Sequence, residues 1–417
     1  MRFRSALACA FLLTTAAALP AAAADSDGFL YGRIVTRDGN TYEGRLRWDD
    51  EEAFWGDYFN SAKEDNPWLD LAPRRERERN RRSIEIFGVE IGAINGWDDG
   101  DRGRQFVARF GDIARIEPGH GDEVLVTMKS GTKLELEGGS NDVDADIRVW
   151  DDSLGVVEVD WRRIRSIELL PTPALGAVPT RLHGTVKTRS GDFTGFIQWD
   201  QEECLGPDEL DGETTDGDMS IAMGNIRAIE RRSSKSSRVI LRDGRDVVLS
   251  DTNDVDDSNR GIYVEDPRYG RVLISWEAFE RVDFTDGGSG PSYRDYPPGK
   301  PLSGTVTTLD GDKLSGRIVY DLDESETTEM LDGERRDIDY AIPFSLVAAV
   351  VPRGDSSRVV LRTGEEIVLE GTVDVSDDNA GLLVFTAGTQ QPRYVRWDDV
   401  DRVDFDAPAA SWPPVRR

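Results

Sequence analysis

What most constrains the fold of this 417-residue chain is that it repeats itself. Three segments end alike: LELEGGSNDVDADIRVWDDSLGVVEVDWRRIRSIEL, VVLSDTNDVDDSNRGIYVEDPRYGRVLISWEAFERVDF and IVLEGTVDVSDDNAGLLVFTAGTQQPRYVRWDDVDRVDF. Trp161, Trp276 and Trp397 fall in register. A repeated unit must bury its own apolar face or share one with a neighbour, so the repeat sets the fold. The copies run over residues 29–169, 181–285 and 301–406. Pro- and Gly-bearing stretches at 170–180 and 285–301 separate them.

Each copy divides again into two halves, most of them roughly fifty residues long. Front halves open with GRIVTRDGNTYEGRLRWD, GTVKTRSGDFTGFIQWD and GTVTTLDGDKLSGRIVYD. Back halves open with VLVTMKSGTKLELEG, VILRDGRDVVLSD and VVLRTGEEIVLEG. Alternating apolar residues around a Gly turn predict strand, turn, strand. All six halves close on apolar residues three apart. The front halves use Phe110, Ile113, Ile116; Met223, Ile226, Ile229; and Phe344, Val347, Val350. The back halves use Trp161, Ile164, Ile167; Trp276, Phe279, Val282; and Trp397, Val400, Val403. That spacing suits one 3₁₀ turn running into a last short strand.

The hairpin, the closing turn and the unit size resemble SH3-like and Sm-like small barrels. GDKLSGRIVYD, from Gly311 to Asp321, is similar to the Gly-x4-Gly-x-aliphatic-Asp signature of Sm proteins. The resemblance implies an all-β fold of three tandem repeats, each a pair of small SH3-like barrels. The RNA-contacting second Sm motif is missing, so RNA binding is not implied. Copy one carries an insertion over 53–105, which holds Trp55, Trp68 and Trp97 and a run of arginines: Arg74, Arg75, Arg77, Arg79, Arg81 and Arg82.

Charge narrows the partners. Lys plus Arg number 51 against 80 Asp plus Glu, a net charge of −29. Such a chain repels nucleic acid. Residues 1–24 read as a secretory signal: Arg2 and Arg4, an apolar stretch from Ser5 to Leu19, Pro20, then Ala22-Ala23-Ala24 as a cleavage site. The expected location is the bacterial periplasm or the exterior, with no transmembrane segment. Cleavage after Ala24 leaves Cys204 as the one cysteine, and one cysteine makes no internal disulfide.

Three constellations are candidates for function. Asp49 and Glu52, Asp200 and Glu203, and Asp321 and Glu324 follow the three front hairpins. They read either as a cation or partner site at a barrel rim, or as strand-ending acids bonded to their own turn. Each back half carries an acidic loop: Asp142, Asp144, Asp146; Asp254, Asp256; Asp374, Asp378. Oxygens alternating along a loop are what Ca²⁺ takes, although the complete calcium loop, with its Gly and terminal Glu, is absent. Turn chemistry explains the same letters. Trp55, Trp68, Arg74, Arg75 and Arg77 form a candidate contact patch for an anionic envelope component or a protein.

The two histidines, His120 and His183, stand at non-equivalent places, and no nucleophile or zinc motif accompanies them. The expected function is therefore an exported, non-enzymatic binding or scaffolding protein without a cofactor. The alternatives are a calcium- or carbohydrate-binding envelope protein and, further off, a carboxylate-based hydrolase.

Overall fold

Alternation of apolar and polar residues turns one face of each opening strand inward. Tyr31–Thr36, His183–Thr188 and Ser303–Thr308 share one alternating pattern of burial. The computed structural model describes residues 25–63, 66–74, 105–138, 140, 142–389 and 391–407. The signal-like segment 1–24, Arg75, Arg77 and Trp97 lie outside the described residues. The protein is all-β, with large antiparallel sheets and, among the described residues, no helix of seven residues or more. Among the described residues, no helix is long and apolar enough to cross a membrane.

The closing triplets lie in the interior. From Phe110 through Val403, all eighteen side chains are at most 4% exposed. Five of the six turns are single 3₁₀ helices, Phe110–Asp112, Trp161–Arg163, Met223–Asn225, Phe344–Leu346 and Trp397–Asp399. Trp276–Ala278 is an ordinary turn.

Strand pairing ties the two halves of each copy together. In copy two, the front hairpin does not pair with its own closing strand. His183–Thr188 pairs with Phe279–Phe284, which closes the back half, and Gly191–Gln198 pairs with Ile262–Asp266. The back half's opening strand, Ser236–Leu241, lies beside Ile226–Ser233, which closes the front half, while the next strand, Asp246–Ser250, reaches Glu209–Thr214. The two halves have exchanged hairpins. Copy three repeats this: Ser303–Thr308 pairs with Val400–Phe405, and Lys313–Val319 with Leu382–Phe385. So does copy one, with Tyr31–Thr36 on Ile164–Leu169 and Thr41–Trp48 on Ile147–Asp151. Exchange of like elements costs little, because every strand keeps an equivalent neighbour.

The exchange explains a recurrent glycine. Each second hairpin strand crosses from its partner in the hairpin to a back-half strand. A Cβ on Gly44 would sit 2.0 Å from the Trp150 carbonyl oxygen; on Gly195, 1.9 Å from that of Glu265; on Gly316, 2.1 Å from that of Phe385. Gly316, the second glycine of the Sm-like signature, is therefore needed for close backbone approach. Gly311, the first, turns the hairpin at φ +85°.

The insertion in copy one is shorter than the 53–105 read from sequence. Tyr58–Ala62 pairs with Gln105–Arg109 as Glu209–Thr214 does with Gly217–Ala222 and Met330–Glu334 with Ile338–Pro343. Residues 53–62 thus belong to the recurrent fold, and the added segment starts after them.

Copies two and three share one core and are also joined by strands. Gly270–Ile274 pairs antiparallel with Ile338–Pro343, placing Val272 opposite Tyr340.

Candidate functional site

The Asp/Glu motif after each front hairpin is built by a tight reversal. The strand ends at Trp48, Trp199 or Tyr320, and the next residue, Asp49, Asp200 or Asp321, has φ of 42°, 50° or 47°. Asp tolerates this left-handed conformation better than most residues. The chain returns at once: the amide N–H of Trp48, Trp199 and Tyr320 each donates to the carbonyl of Glu52, Glu203 and Glu324 at 2.8 Å.

The reversal carries the glutamate inward, against the first aspartate of the back-half loop. The Trp48 indole N–H donates to the Asp142 carbonyl at 2.9 Å, the Trp199 indole to that of Asp254 at 2.9 Å, and the Tyr320 hydroxyl to that of Asp374 at 2.7 Å. The carboxylate Oδ2 of Asp142 accepts from the Asn60 amide at 2.7 Å, that of Asp254 from Asp211 at 2.6 Å, and that of Asp374 from Asp332 at 2.8 Å. The result in each copy is a buried Glu beside a buried Asp: Glu52 with Asp142, Glu203 with Asp254, Glu324 with Asp374. Oε2 of all three glutamates is buried and faces no hydrogen-bond donor among the described residues.

Such pairs hold protons tightly. Burial, reinforced by Asp254, pushes Glu203 up to about 9, and burial lifts Asp254 to about 6 and Asp142 to about 7. Glu52 and Glu324 are raised for the same reasons. The folded state therefore binds more protons than the unfolded chain from the ordinary carboxylate range up to about pH 9, and stability falls as pH rises through that window. Glu203→Gln is expected to flatten the slope and to stabilise the protein by on the order of 2 kcal/mol near pH 8. Urea unfolding of wild type and variant at several pH values measures this. A variant whose pH dependence matches wild type would show that Glu203 is charged and well solvated.

The other sequence candidates do not converge. Asp144 is exposed and paired with Arg162 at 2.7 Å; Asp146 is exposed. Asp256 bonds the Ser258 amide two residues on, and Asp378 is exposed. The alternating loop thus sends its first Asp inward and the others out, because the loop coils through turns instead of wrapping a single point. Asp49 is exposed, whereas Asp200 and Asp321 are fully buried.

Trp55 is fully buried, its ring tilted against Tyr293 with centroids 4.5 Å apart and its indole N–H donating to Thr172. It packs the fold and is not part of a contact patch. Trp68 is half-buried beside Phe385, and Arg74 is exposed. Cys204 is buried among Phe29, Ala53, Phe54 and Leu205.

Sequence reasoning missed a third acid in the motif. Asp57, Asp208 and Glu329 stand five residues after the glutamates and accept two successive loop amides. Asp57 takes those of Ala53 and Phe54, Asp208 those of Cys204 and Leu205, and Glu329 those of Ser325 and Glu326. Each also meets a cation from another part of the chain: Asp57 with Arg181, Asp208 with Arg47, Glu329 with Lys63. Lining up the three copies on their glutamates would have exposed the acid, but not its partner.

Copy three differs in one respect. In copy two, Arg260 lies on Asp200 at 3.1 Å and on Glu202 at 2.8 Å. The equivalent residue in copy three, also just after the loop Asn, is Ala380, and its amide bonds Asp321. There one carboxylate oxygen from each of Asp321, Glu324 and Asp374 falls within 4.8 Å of the others, and all three residues are buried.

No family model matches the chain, and no curated protein matches it. Among solved structures, a streptogramin B lyase matches at 8% identity, covering 71% of this chain and 94% of that chain with a TM-score of 0.14. So slight a likeness carries no argument about fold or activity.

Proposed function

We propose that the chain is an exported, non-enzymatic binding or scaffolding protein of the bacterial cell envelope. It is made of three tandem copies of a paired small barrel and takes up an extended partner segment along an open sheet edge. The observation that carries this reading is a contrast between two equivalent strands. Gly270–Ile274 is buried at every position and paired on Ile338–Pro343. Its counterpart in copy one, Gly155–Val159, is, among the described residues, the edge of an eight-stranded sheet, and Leu154 and Val156 there are 63% and 59% exposed. An exposed apolar edge is a template for strand addition. The net charge of −29, with Asp152, Glu158 and Asp160 around this edge, favours a segment alternating apolar and basic residues.

The positions of the tryptophans support binding by backbone over binding of sugar. Trp48, Trp55, Trp161 and Trp199 fill the interior, whereas a sugar site or a glycosidase cleft would present such rings beside paired carboxylates.

The test is capture of partners from envelope extract by the chain lacking residues 1–24. It is repeated with Leu154→Lys/Val156→Lys and with residues 75–104 deleted. Loss of the partners with the lysine pair, in a variant of unchanged circular dichroism, supports the edge. Unchanged capture by the lysine pair and loss on deletion would move binding to the inserted segment and sink the reading.

A further inference from the structure

We propose that the segment following copy three folds back and seats Trp412 in a cavity at the end of that copy. The claim goes beyond the binding role above and does not depend on it. The cavity, of about 200 Å³, has Leu302, Thr327, Phe344, Arg362, Phe405 and Ala407 in its wall. That is room on the scale of one large aromatic side chain.

The same place in copy one is filled by rings. Backbone hydrogen bonds fix the correspondence. The Gly111 amide donates to the Trp55 carbonyl, and the Ser345 amide to that of Thr327, both at 2.8 Å. The Lys129 amide donates to the Asp112 carbonyl at 2.9 Å, and the Arg362 amide to that of Leu346 at 2.8 Å. Thr327 thus stands where copy one has Trp55, and Arg362 where it has Lys129. In copy one Tyr293 arrives from the stretch between copies two and three and lies against Trp55, with the Lys129 ammonium 3.2 Å from its ring centre. That ammonium also donates to the carbonyls of Tyr293 at 2.5 Å and Tyr296 at 3.0 Å. Copy three keeps the cation and has a small residue in the wall. Every residue lining its cavity falls between Lys300 and Ala407, so no ring from another described segment lines it. In copy two backbone closes the place: Gly224 donates to the Gly206 carbonyl at 2.7 Å, and a Cβ on Gly206 would lie 2.3 Å from Thr180 Oγ1.

Three observations choose the occupant. The chain leaves copy three at the cavity itself, where Arg362 holds the Asp406 carbonyl at 2.7 Å and Ala407 is part of the wall. The sequence that follows, PAASWPPVRR, lies outside the described residues; its Trp412-Pro413-Pro414 repeats Tyr296-Pro297-Pro298 of the segment that fills copy one. Trp412 is five residues beyond Ala407, a reach of up to about 18 Å, so it can return to the cavity without strain. Its indole would supply the ring that Thr327 does not, against Phe344 and Phe405, and the paired prolines limit the freedom lost on docking.

The experiment compares the chain of residues 25–417 with one ending at Ala407. The shorter chain is expected to have a Tm lower by at least about 2 °C. A peptide of residues 408–417 carrying fluorotryptophan at position 412, followed by fluorine NMR, should bind the shorter chain at least about tenfold more tightly than the longer one, whose own tail competes. An unlabelled peptide should displace it, and its Trp412→Ala form should not. Thr327→Trp in the shorter chain, or the milder Thr327→Leu, fills the cavity and should weaken the peptide. A peptide that ignores the shorter chain, that binds both chains alike, or that is displaced equally well by the Trp412→Ala form overturns the proposal. So does binding untouched by filling at Thr327. Dimers that are lost on truncation would seat the tail in a second chain and overturn it too.

Discussion

Replacing Gly195 by alanine is expected to destabilise the protein by at least ~3 kcal/mol, the upper range for forcing a methyl group into packed structure. The added Cβ would lie 1.9 Å from the Glu265 carbonyl oxygen. The Cβ position is fixed by the Gly195 backbone and the oxygen belongs to the Glu265 backbone, so no side chain can swing aside. The strand must instead lift away from Ile262–Asp266, the pairing that joins the two exchanged halves. Gly176, where a Cβ meets nothing within 4 Å, provides the control, and Gly176→Ala should be neutral. Guanidinium unfolding of the two variants makes the comparison. A Gly195→Ala midpoint equal to wild type would mean that the front and back halves do not cross here, and the exchanged topology would fall with it.

Arg181→Met is the second large expected loss, ~3–5 kcal/mol, because it removes one member of a buried ionic group and leaves the others facing each other. Arg181 is 7% exposed, bonds Asp57 at 3.1 Å and Glu265 at 2.7 Å, and stacks its guanidinium 4.0 Å over Phe54 and 4.1 Å over Phe196. Met replaces much of the aliphatic packing and none of the charge. Burial already lifts Glu265 above the usual carboxylate range, and loss of the guanidinium lifts it further. In the variant the folded state therefore holds protons that the unfolded chain releases, so the deficit grows as pH rises from about 5 to 8. Denaturation of wild type and variant at both pH values gives size and sign together. A deficit that is the same at both would show that the carboxylates remain solvated without Arg181.

These expectations separate what is local from what is not. Strand, turn and closing triplet were legible because each is a short-range pattern. Period-two alternation marks the hairpins, and apolar residues three apart mark a single turn with one face inward. The Asp/Glu motif was legible as a motif, but its burial was not. Glu52 and Glu203 stand beside exposed or half-buried acids in sequence, Glu324 beside the buried Asp323, and nothing local tells which one the reversal points inward. The acidic loop misled for a related reason: Asp142, Asp144 and Asp146 suggest a ligand ladder only if the loop wraps one centre. The start of the insertion was misplaced because Tyr58–Ala62 reads as aromatic excess until its partner strand, some forty residues downstream in sequence, is seen.

By itself, the sequence determined that the chain would be all-β and where each strand would bend, since those choices depend on neighbours within a few residues. Only the tertiary structure decided which hairpin would lie against which closing strand, and so which acids would be shut in together. The halves carry the same pattern, so exchanged and unexchanged pairings satisfy every local rule equally. The choice between them rests on contacts between residues far apart in the chain, such as Gly195 against Glu265, Arg181 against Asp57 and Lys63 against Asp323.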